Sequence, residues 1–184
     1  VDLGSVGVGL GADMVLNQRT DIAGAEPSSL AVHFRRSKIN VARDFNLSPG
    51  ADITAALREV LADGRGWYLP GTPVGLDWLI SDDLPVASFD QVGEGDGVYA
   101  TRIRSTVANK HGFRNGALSA NRISLSRMWV QTLGTGSPIY FPYEGPEVNL
   151  MYNSKFDQLR LTSDTANALH IANSFSLSIR NTWA

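Results

Sequence analysis

The sequence contains no cysteine, and this absence excludes several kinds of site. Without thiols there is no disulfide bond, no thiolate metal site and no cysteine nucleophile. The lack of cysteine does not settle the compartment, because extracellular proteins can also fold without disulfide bonds. No apolar run approaches the roughly 18 residues of a membrane span. The N-terminus also lacks the basic start and apolar core of a signal peptide.

The chain also lacks a large excess of either positive or negative charge, since sixteen basic residues nearly balance eighteen acidic ones. No basic field over the whole chain attracts nucleic acid, so we expect no nucleic-acid partner. With 43% apolar residues in 184, the chain is expected to form one soluble folded domain, with at most a small appendage. One dense basic cluster indicates either a solvated connecting segment or a docking contact. It contains His33, Arg35, Arg36 and Lys38.

Helical periodicity is scarce and is concentrated in one early segment. A single apolar stripe predicts a helix from Asp52 to Asp63, laid over the first turn of the fold that follows. Asp52 is the predicted N-cap, with Ser48 and Pro49 as the alternative start. Gly64 is predicted to end the helix, because glycine tolerates the left-handed conformation of a C-terminal cap. The stripe consists of Ile53, Ala56, Leu57, Val60 and Leu61.

Most of the remaining chain alternates apolar and polar residues over short runs, which predicts strands. We expect an early strand at 39–46, and short strands separated by turns from residue 67 onward. The region 133–153 is interpreted as an insertion that carries short strands of its own. The later predicted strand segments are 67–72, 75–81, 98–106, 122–132, 138–143, 148–153, 158–163, 168–174 and 175–184.

The apolar pairs of these runs recur at a nearly constant offset. Leu159 and Leu161 recur as Leu177 and Ile179 later in the chain. Repeating short strands of this kind predict a parallel solenoid. A β-sandwich also uses many short strands and is the alternative. The scarcity of two-residue Asn-Gly and Asp-Gly hairpin turns favours the solenoid.

The chain resembles a known family over about residues 39–184. Residues 39–72 resemble the opening of pectate-lyase-like right-handed β-helix proteins, with a short strand, an acid-capped helix and the aromatic strand "WYLPGT" in succession. Gly93, Gly95, Thr101 and Ile103 are similar to that family's glycine-rich entry into its first coils. The resemblance implies a mainly β fold. It would be a right-handed parallel β-helix with an N-terminal capping helix and an extended N-terminal lead segment.

A lead segment before such an opening is typical of bacteriophage tailspikes and tail fibres. The resemblance therefore implies a particle-attachment segment at 1–38, and a cap with the first coils at 39–184. We expect the protein to continue beyond Ala184. The implied partners are phage tail or baseplate proteins and host surface polysaccharide, with a homotrimer as the assembly. The implied location is the virion, acting at the host cell surface.

Glycan cleavage on such a fold needs carboxylates, as a hydrolytic pair or as a lyase base. A loop with aromatic and acidic side chains inside the region 133–153 could hold sugar, and trimer contact or plain surface is its alternative role. The predicted substrate-binding residues are Tyr140, Tyr143, Glu144 and Glu147. No catalytic residue is assigned. If the protein is an active depolymerase, its catalytic residues are expected mostly outside this segment.

Other polar and aromatic residues receive structural interpretations. Trp129 and Trp183 are expected in the core or at an interface rather than as sugar platforms. His111 and His170 have no partner visible in the sequence. No metal-binding or nucleophile motif occurs, so we expect no metal and no cofactor. The acids expected in turns or at the surface are Asp82, Asp83, Glu94, Asp96, Asp157 and Asp164.

The leading hypothesis is therefore a phage tailspike or receptor-binding segment that binds, and in an active form depolymerises, host polysaccharide. A secreted polysaccharide lyase or glycoside hydrolase of the same fold is the first alternative. A non-enzymatic glycan-binding adhesin is the second, and it predicts binding without unsaturated products or new reducing ends.

Overall fold

The structure is a computed structural model that describes residues 16–17, 28–29, 38–86, 90–116, 120–142, 150–172 and 174–184. It divides the chain into two compact units, Val1–Ser37 and Lys38–Ala184. In the first unit the described residues form one antiparallel pair, β1 (Leu16–Asn17) with β2 (Ser28–Ser29). Everything that follows concerns the second unit.

The second unit is mainly β. Its described helices are α1 (Val41–Asp44) and α2 (Thr54–Asp63), and neither has the length and apolar character that crossing a bilayer requires. Its described strands, in chain order, are β3 (Ile39–Asn40), β4 (Trp67–Leu69), β5 (Trp78–Ile80), β6 (Leu84–Val86), β7 (Asp90–Gly95), β8 (Arg102–Ala108), β9 (Phe113–Asn115), β10 (Ala120–Leu133), β11 (Ile139–Phe141), β12 (Leu150–Tyr152), β13 (Lys155–Ser163), β14 (Leu169–Ile171), β15 (Ser174–Phe175) and β16 (Ser178–Arg180).

All strand pairs described in this unit are parallel. One sheet runs in the order β15-β12-β10-β7-β4-β3, with β5, β8, β13 and β16 attached to it. A second sheet runs in the order β14-β11-β9-β6. Parallel neighbours need long crossover connections, which agrees with the scarcity of hairpin turns. Among the described strands, this pattern differs from the antiparallel sheets of the β-sandwich alternative.

Paired positions of neighbouring strands carry apolar side chains that stack into the core. Trp78 pairs with Ile103, Ile103 with Val130, and Val130 with Leu161, and all of these side chains are buried. Each such side chain contributes about 1.5–3 kcal/mol by leaving water. Two further ladders of paired residues start in the core, and their last members are less buried, since Ile179 is 46% exposed and Leu169 is half-buried. They are Ile39–Trp67–Gly93–Leu125–Phe156–Ile179 and Leu84–Phe113–Ile139–Leu169.

Two neighbouring strands bend at residues in the left-handed conformation. Arg127 (φ 58°) lies within β10 and Gln158 (φ 53°) lies within β13. The two residues lie side by side in the register of this strand pair, so both strands bend at the same level. Such a residue shifts the alternation of a strand by one position, and side chains beyond the bend therefore change face.

All members of the predicted apolar stripe are buried, and all except Ile53, the residue just before the helix, lie on α2. The predicted start at Asp52 was wrong, because the helix begins at Thr54. Asp52 instead makes a parallel bridge to Leu79, while its carboxylate accepts hydrogen bonds from Thr54 N (2.9 Å) and Thr54 Oγ1 (2.6 Å). The end at Gly64 (φ 85°) is confirmed. The helix contacts β6.

The strand predicted at 39–46 was wrong after Asn40, where the short helix α1 begins. Asn40 Oδ1 accepts a hydrogen bond from Arg43 N (3.1 Å), and Asp44 Oδ2 accepts one from Asn40 N (2.9 Å). This reciprocal capping satisfies backbone donors that a strand would have paired elsewhere. The segment therefore forms a helix, although its apolar-polar alternation predicted a strand.

The interpretation of 133–153 as an insertion was also wrong where the structure describes it. Strand β11 pairs with β9 and β14, and β12 pairs with β10 and β15, so both belong to the main sheets. Strands β6, β7 and β9 were not predicted. Pro85 and the glycines of β7 weakened the sequence signal of two of them.

Candidate functional site

The longest strand, β10, presents one set of side chains to the core and another to the outside of the sheet. Ile123 and Leu125 are buried, and after the bend at Arg127 the buried apolar positions are Met128 and Val130. Trp129 therefore projects from the outer face, where it is half-buried. The matching bend at Gln158 likewise leaves Arg160, paired with Trp129, outside the core.

Four side chains form what we call the Trp129 surface: Tyr99, Trp129, Arg160 and Trp183. The guanidinium carbon of Arg160 lies 4.1 Å from the ring centroid of Trp129 and 6.0 Å from that of Tyr99. These distances are those of cation–π packing. The indole Nε1 of Trp129 donates a hydrogen bond to Thr162 Oγ1 (2.8 Å), which fixes the orientation of the ring.

The other two aromatic residues of this surface are open to solvent. Tyr99 is 75% exposed and Trp183 is 58% exposed. Trp183 continues the row of Trp129 and Arg160, because its backbone forms a parallel bridge with Arg160. Large aromatic side chains that cluster in solvent mark a binding surface more often than chance exposure.

A second aromatic cluster, the Tyr140 stack, lies on the outer face of the other sheet. It consists of Tyr140, His111 and His170. The rings of His111 and Tyr140 are parallel, with centroids 3.8 Å apart, and the ring of His170 lies 5.1 Å from that of Tyr140. Tyr140 and His170 are paired residues of β11 and β14. The partner that the sequence did not reveal for either histidine is therefore the tyrosine between them.

Hydrogen bonds on two sides fix the position of His111. Its ring Nδ1 accepts a hydrogen bond from Ser137 N (3.1 Å), and its backbone N–H donates one to Asp83 Oδ1 (2.7 Å). Burial lowers the pKa of His111, and the charges of Arg114 and His170 lower it further, while Asp83 raises it. Only the neutral imidazole can accept the hydrogen bond from Ser137 N, because both ring nitrogens of the protonated form are donors.

We expect the stability of the protein to decrease on acidification partly through His111. Because its folded-state pKa is lowered, the unfolded chain takes up the proton first as the pH falls. The full contribution is present above the unfolded pKa of about 6.5 and is lost below it. Urea unfolding at pH 7.5 and pH 5 should show a larger loss for the wild type than for His111→Gln. Equal losses would contradict the assignment.

Of the predicted substrate-binding residues, the structure describes Tyr140 and places it in the stack. Tyr143, Glu144 and Glu147 lie outside the described residues. Their grouping with Tyr140 into one sugar-binding loop therefore stays a prediction. Tyr140 itself packs against histidine rings on both sides along the sheet, which leaves it half-buried.

Acids expected in turns or at the surface are held by neighbouring groups. Asp82 pairs with Lys110 (2.6 Å) and Arg58 (2.7 Å), and these hydrogen bonds hold its pKa well below its usual range. A hydrogen bond from Lys38 lowers the pKa of Glu94, which also pairs with Arg127. These ion pairs give the carboxylates structural roles.

Asp96 is engaged in the same way, at the turn after β7. It accepts hydrogen bonds from the hydroxyl of Tyr68 (2.6 Å) and from Gly71 N (2.7 Å). Its two oxygens therefore tie neighbouring strands together. In the described ranges no group of three or more His, Asp or Glu side chains could hold a metal ion.

The four tryptophans divide between the core and the outer face of the sheet. Trp67 and Trp78 are buried in the core. Trp129 and Trp183 were expected in the core or at an interface; they lie on the outer face of the sheet and not in the core, and their placement at an interface stays a prediction. The signal that could have located Trp129 is the shift from Leu125 to Met128, which breaks strict alternation.

Together these features define a mainly β protein with parallel sheets and exposed aromatic surfaces. No protein-family model matches the chain, and no curated protein matches it. A solved structure titled "Geobacillus virus E2 - ORF18" is similar, with a TM-score of 0.54 and 15% sequence identity. The similarity covers 89% of this chain and 41% of that one, so this chain spans less than half of its length. At this identity the likeness bears on the fold alone.

Proposed function

We propose that this chain is part of a phage tailspike or tail-fibre protein that binds polysaccharide on the host surface. The observation that carries the proposal is the Trp129 surface, with its exposed aromatic rings on the outside of a parallel sheet. The phage source of a similarly folded protein supports a virion setting. The resemblance of residues 39–72 to β-helix proteins of this kind supports it from the sequence.

The aromatic geometry suits a saccharide. Sugar rings carry C–H groups on their faces, and these groups pack on the electron-rich faces of aromatic rings. Trp129 is already held in place by Thr162, so binding costs little loss of side-chain freedom there. Tyr99 and Trp183 offer further faces on the same side of the sheet. An extended chain of sugars could contact all of these rings.

The architecture in this proposal is a right-handed parallel β-helix, with α2 covering its first strands. The parallel ladders of apolar residues support a coil in which each turn packs on the previous one. Residues 1–38 would attach the protein to phage tail or baseplate proteins. The assembly would be a homotrimer in the virion, acting at the host cell surface.

The Tyr140 region is proposed as a second contact with the same polysaccharide. In this reading Tyr140 and Tyr143 provide aromatic faces, and Glu144 and Glu147 accept hydrogen bonds from sugar hydroxyls. The half-buried position of Tyr140 on an outer sheet face supports the first of these roles. The proposal assigns no catalytic residue.

We expect Trp129→Ala and Tyr99→Ala each to weaken binding of the host polysaccharide by about tenfold or more, because truncated aromatic contacts dominate such interfaces. Affinity would be measured by surface plasmon resonance on polysaccharide purified from the host strain that the phage infects. Val74→Ala, which removes another exposed apolar side chain, is the control.

Unchanged affinity in both aromatic variants would overturn the assignment of this surface. Absence of any binding to polysaccharide from susceptible cells would overturn the function itself. Product analysis separates the enzymatic forms, since a lyase creates unsaturated ends and a hydrolase creates reducing ends. Binding without either product corresponds to an adhesin.

A further inference from the structure

We propose that His111 is a pH-sensitive cover for Tyr140: its neutral ring stays stacked on one face of Tyr140, and its protonated ring swings off that face into solvent. The inference goes beyond the proposed function, because it assigns a regulatory device to the fold and holds whether or not Tyr140 contacts a polysaccharide. It depends on the hydrogen bond of the His111 ring, on the rigidity of the backbone around it, and on the charges that surround it.

The ring of His111 is held in the stack by a hydrogen bond that only its neutral form can make. The ring lies parallel to that of Tyr140, with 3.8 Å between the centroids, and its Nδ1 accepts from Ser137 N (3.1 Å). Protonation turns Nδ1 into a donor, so two N–H groups would then face each other at this distance. One of the two groups must therefore move.

The backbone on both sides of this hydrogen bond is fixed. Ser137 is 4% exposed, and its carbonyl accepts a hydrogen bond from Gly112 N (2.9 Å). The backbone N–H of His111 donates to Asp83 Oδ1 (2.7 Å). The imidazole itself is half-buried on the outer face of the sheet, so rotation about its side-chain bonds takes it toward water. The imidazole is therefore the group that moves.

The charges around the stack disfavour a proton on the ring while it stays there. Burial and the positive charges of Arg114 and His170 lower the pKa of His111, and the negative charge of Asp83 raises it. Both oxygens of Asp83 are already engaged, by His111 N and by Arg114 Nη1 (3.0 Å). The titratable and charged groups on the elements packed against the ring are Asp82, Asp83, Lys110, Arg114, Tyr140 and His170, and Asp82 pairs with Lys110.

Protonation and departure of the ring from the stack therefore favour each other. A free imidazole in water takes up a proton more readily than the stacked one, so a bound proton shifts the population toward the open form. The cover opens below the ordinary histidine pKa of about 6.5, because the stacked form resists protonation. Above that pH one face of Tyr140 is covered, and below it the same face meets solvent.

The test follows the exposure of Tyr140 as the pH is lowered. Photo-CIDNP NMR detects tyrosine rings that a flavin dye in solution can reach. Spectra of the full chain are recorded from pH 7.5 to pH 5, and a Tyr140→Phe variant assigns the signal. Backbone amide spectra over the same range report whether the native fold persists.

Three variants separate the cover from other effects of acid. His111→Phe keeps a ring on Tyr140 that cannot titrate. His111→Asn keeps an acceptor near Ser137 N and has no ring with which to cover Tyr140. His170→Gln removes the other histidine of the stack and is the matched control. If His111→Phe does not fold, the comparison of the wild type with His111→Asn decides the outcome.

We expect the Tyr140 signal of the wild type to rise about twofold or more between pH 7.5 and pH 5, as the population moves from the covered to the open form. His111→Phe should give a weak signal and His111→Asn a strong one, each at both pH values. His170→Gln should keep the rise and move its midpoint to higher pH, because one positive charge that lowers the pKa of His111 is gone.

Three results would overturn the proposal. A constant Tyr140 signal in the wild type, while the imidazole signals of His111 titrate, would show that the ring turns over in place without leaving the stack. A rise of the wild-type size in His111→Asn would show that another group senses the acid. Loss of the native amide spectrum before the Tyr140 signal rises would assign the exposure to unfolding.

Discussion

Leu57→Asp is expected to abolish the stable fold of the second unit. Leu57 is fully buried on α2, at the centre of the apolar stripe that covers the core. The substitution removes a large apolar contact and places a carboxylate where the structure describes no cation to pair with it. Loss of a buried leucine side chain alone costs about 2–5 kcal/mol, and an unpaired buried charge adds to that cost. Circular dichroism, urea unfolding and size-exclusion chromatography would measure the loss of structure and the resulting aggregation.

Ala55→Asp is the matched control for this prediction. Ala55 lies two residues earlier on the same helix and is exposed, so the same new charge meets water there. Its position in the first turn also places a negative charge where the helix dipole favours one. We expect unfolding within about 0.5 kcal/mol of the wild type. A Leu57→Asp protein that unfolds at the same urea concentration as Ala55→Asp would show that α2 does not protect the core.

Gly93→Ala is expected to destabilise the fold by about 3 kcal/mol or more, because it overpacks a rigid part of the core. A Cβ atom at residue 93 would clash with the ring of Trp67, closest to its Cζ2 atom and 2.6 Å from both Cε2 and Cη2. Trp67 is fully buried and stacks against Phe113, with ring centroids 5.9 Å apart, so it has little room to move. Chemical denaturation of the variant would measure the loss.

Gly66→Ala provides the comparison, since a Cβ there meets its nearest described atom at an ordinary 3.4 Å. We expect its stability to stay within about 0.5 kcal/mol of the wild type. The double variant Gly93→Ala with Trp67→Leu should lose less free energy of unfolding than the sum of the two single variants. The smaller leucine side chain leaves room for the added Cβ atom. Strict additivity of the two changes would exclude the clash as the cause.

Local patterns in the sequence were sufficient to predict much of the fold. The stripe of α2 and its end at Gly64 follow from helical spacing and from the preference of glycine for a left-handed cap. The resemblance marked Gly93, Gly95 and Thr101, and the structure gives physical reasons for them. Gly93 admits the ring of Trp67, and Gly95 lies against Thr101, whose hydroxyl donates to Leu69 O (3.1 Å).

Other parts of the fold depend on contacts that the sequence pattern does not contain. The strand expected at 39–46 ends at Asn40, and α1 follows it, because Asn40 Oδ1 accepts a hydrogen bond from Arg43 N and Asp44 accepts one from Asn40 N. Strands β11 and β12 were assigned to an insertion, since nothing in their own sequences reveals the strands with which they pair. Strand pairing between distant segments is settled by packing, not by local preference.

The candidate site was harder to predict for a related reason. From Ile123 and Leu125, strict alternation would place Trp129 in the core. The left-handed residue Arg127 shifts the phase by one, so Met128 turns inward and Trp129 turns outward. A non-glycine residue rarely takes this conformation, and the sequence around Arg127 has no glycine to mark the bend. The exposed tryptophan therefore follows from a single backbone angle.

The parallel pairing of the strands has a consequence for how the protein forms during translation. Each strand of the main ladders, from β4 through β7, β10 and β13, pairs with one that the ribosome has already produced. The nascent chain can therefore grow by adding each new strand to an existing edge. Every addition must close a long loop, which makes growth slow. We infer that misassociation in the cell mainly involves the partly folded nascent chain, because the edge of its last added strand is still unpaired, and involves the finished molecule less.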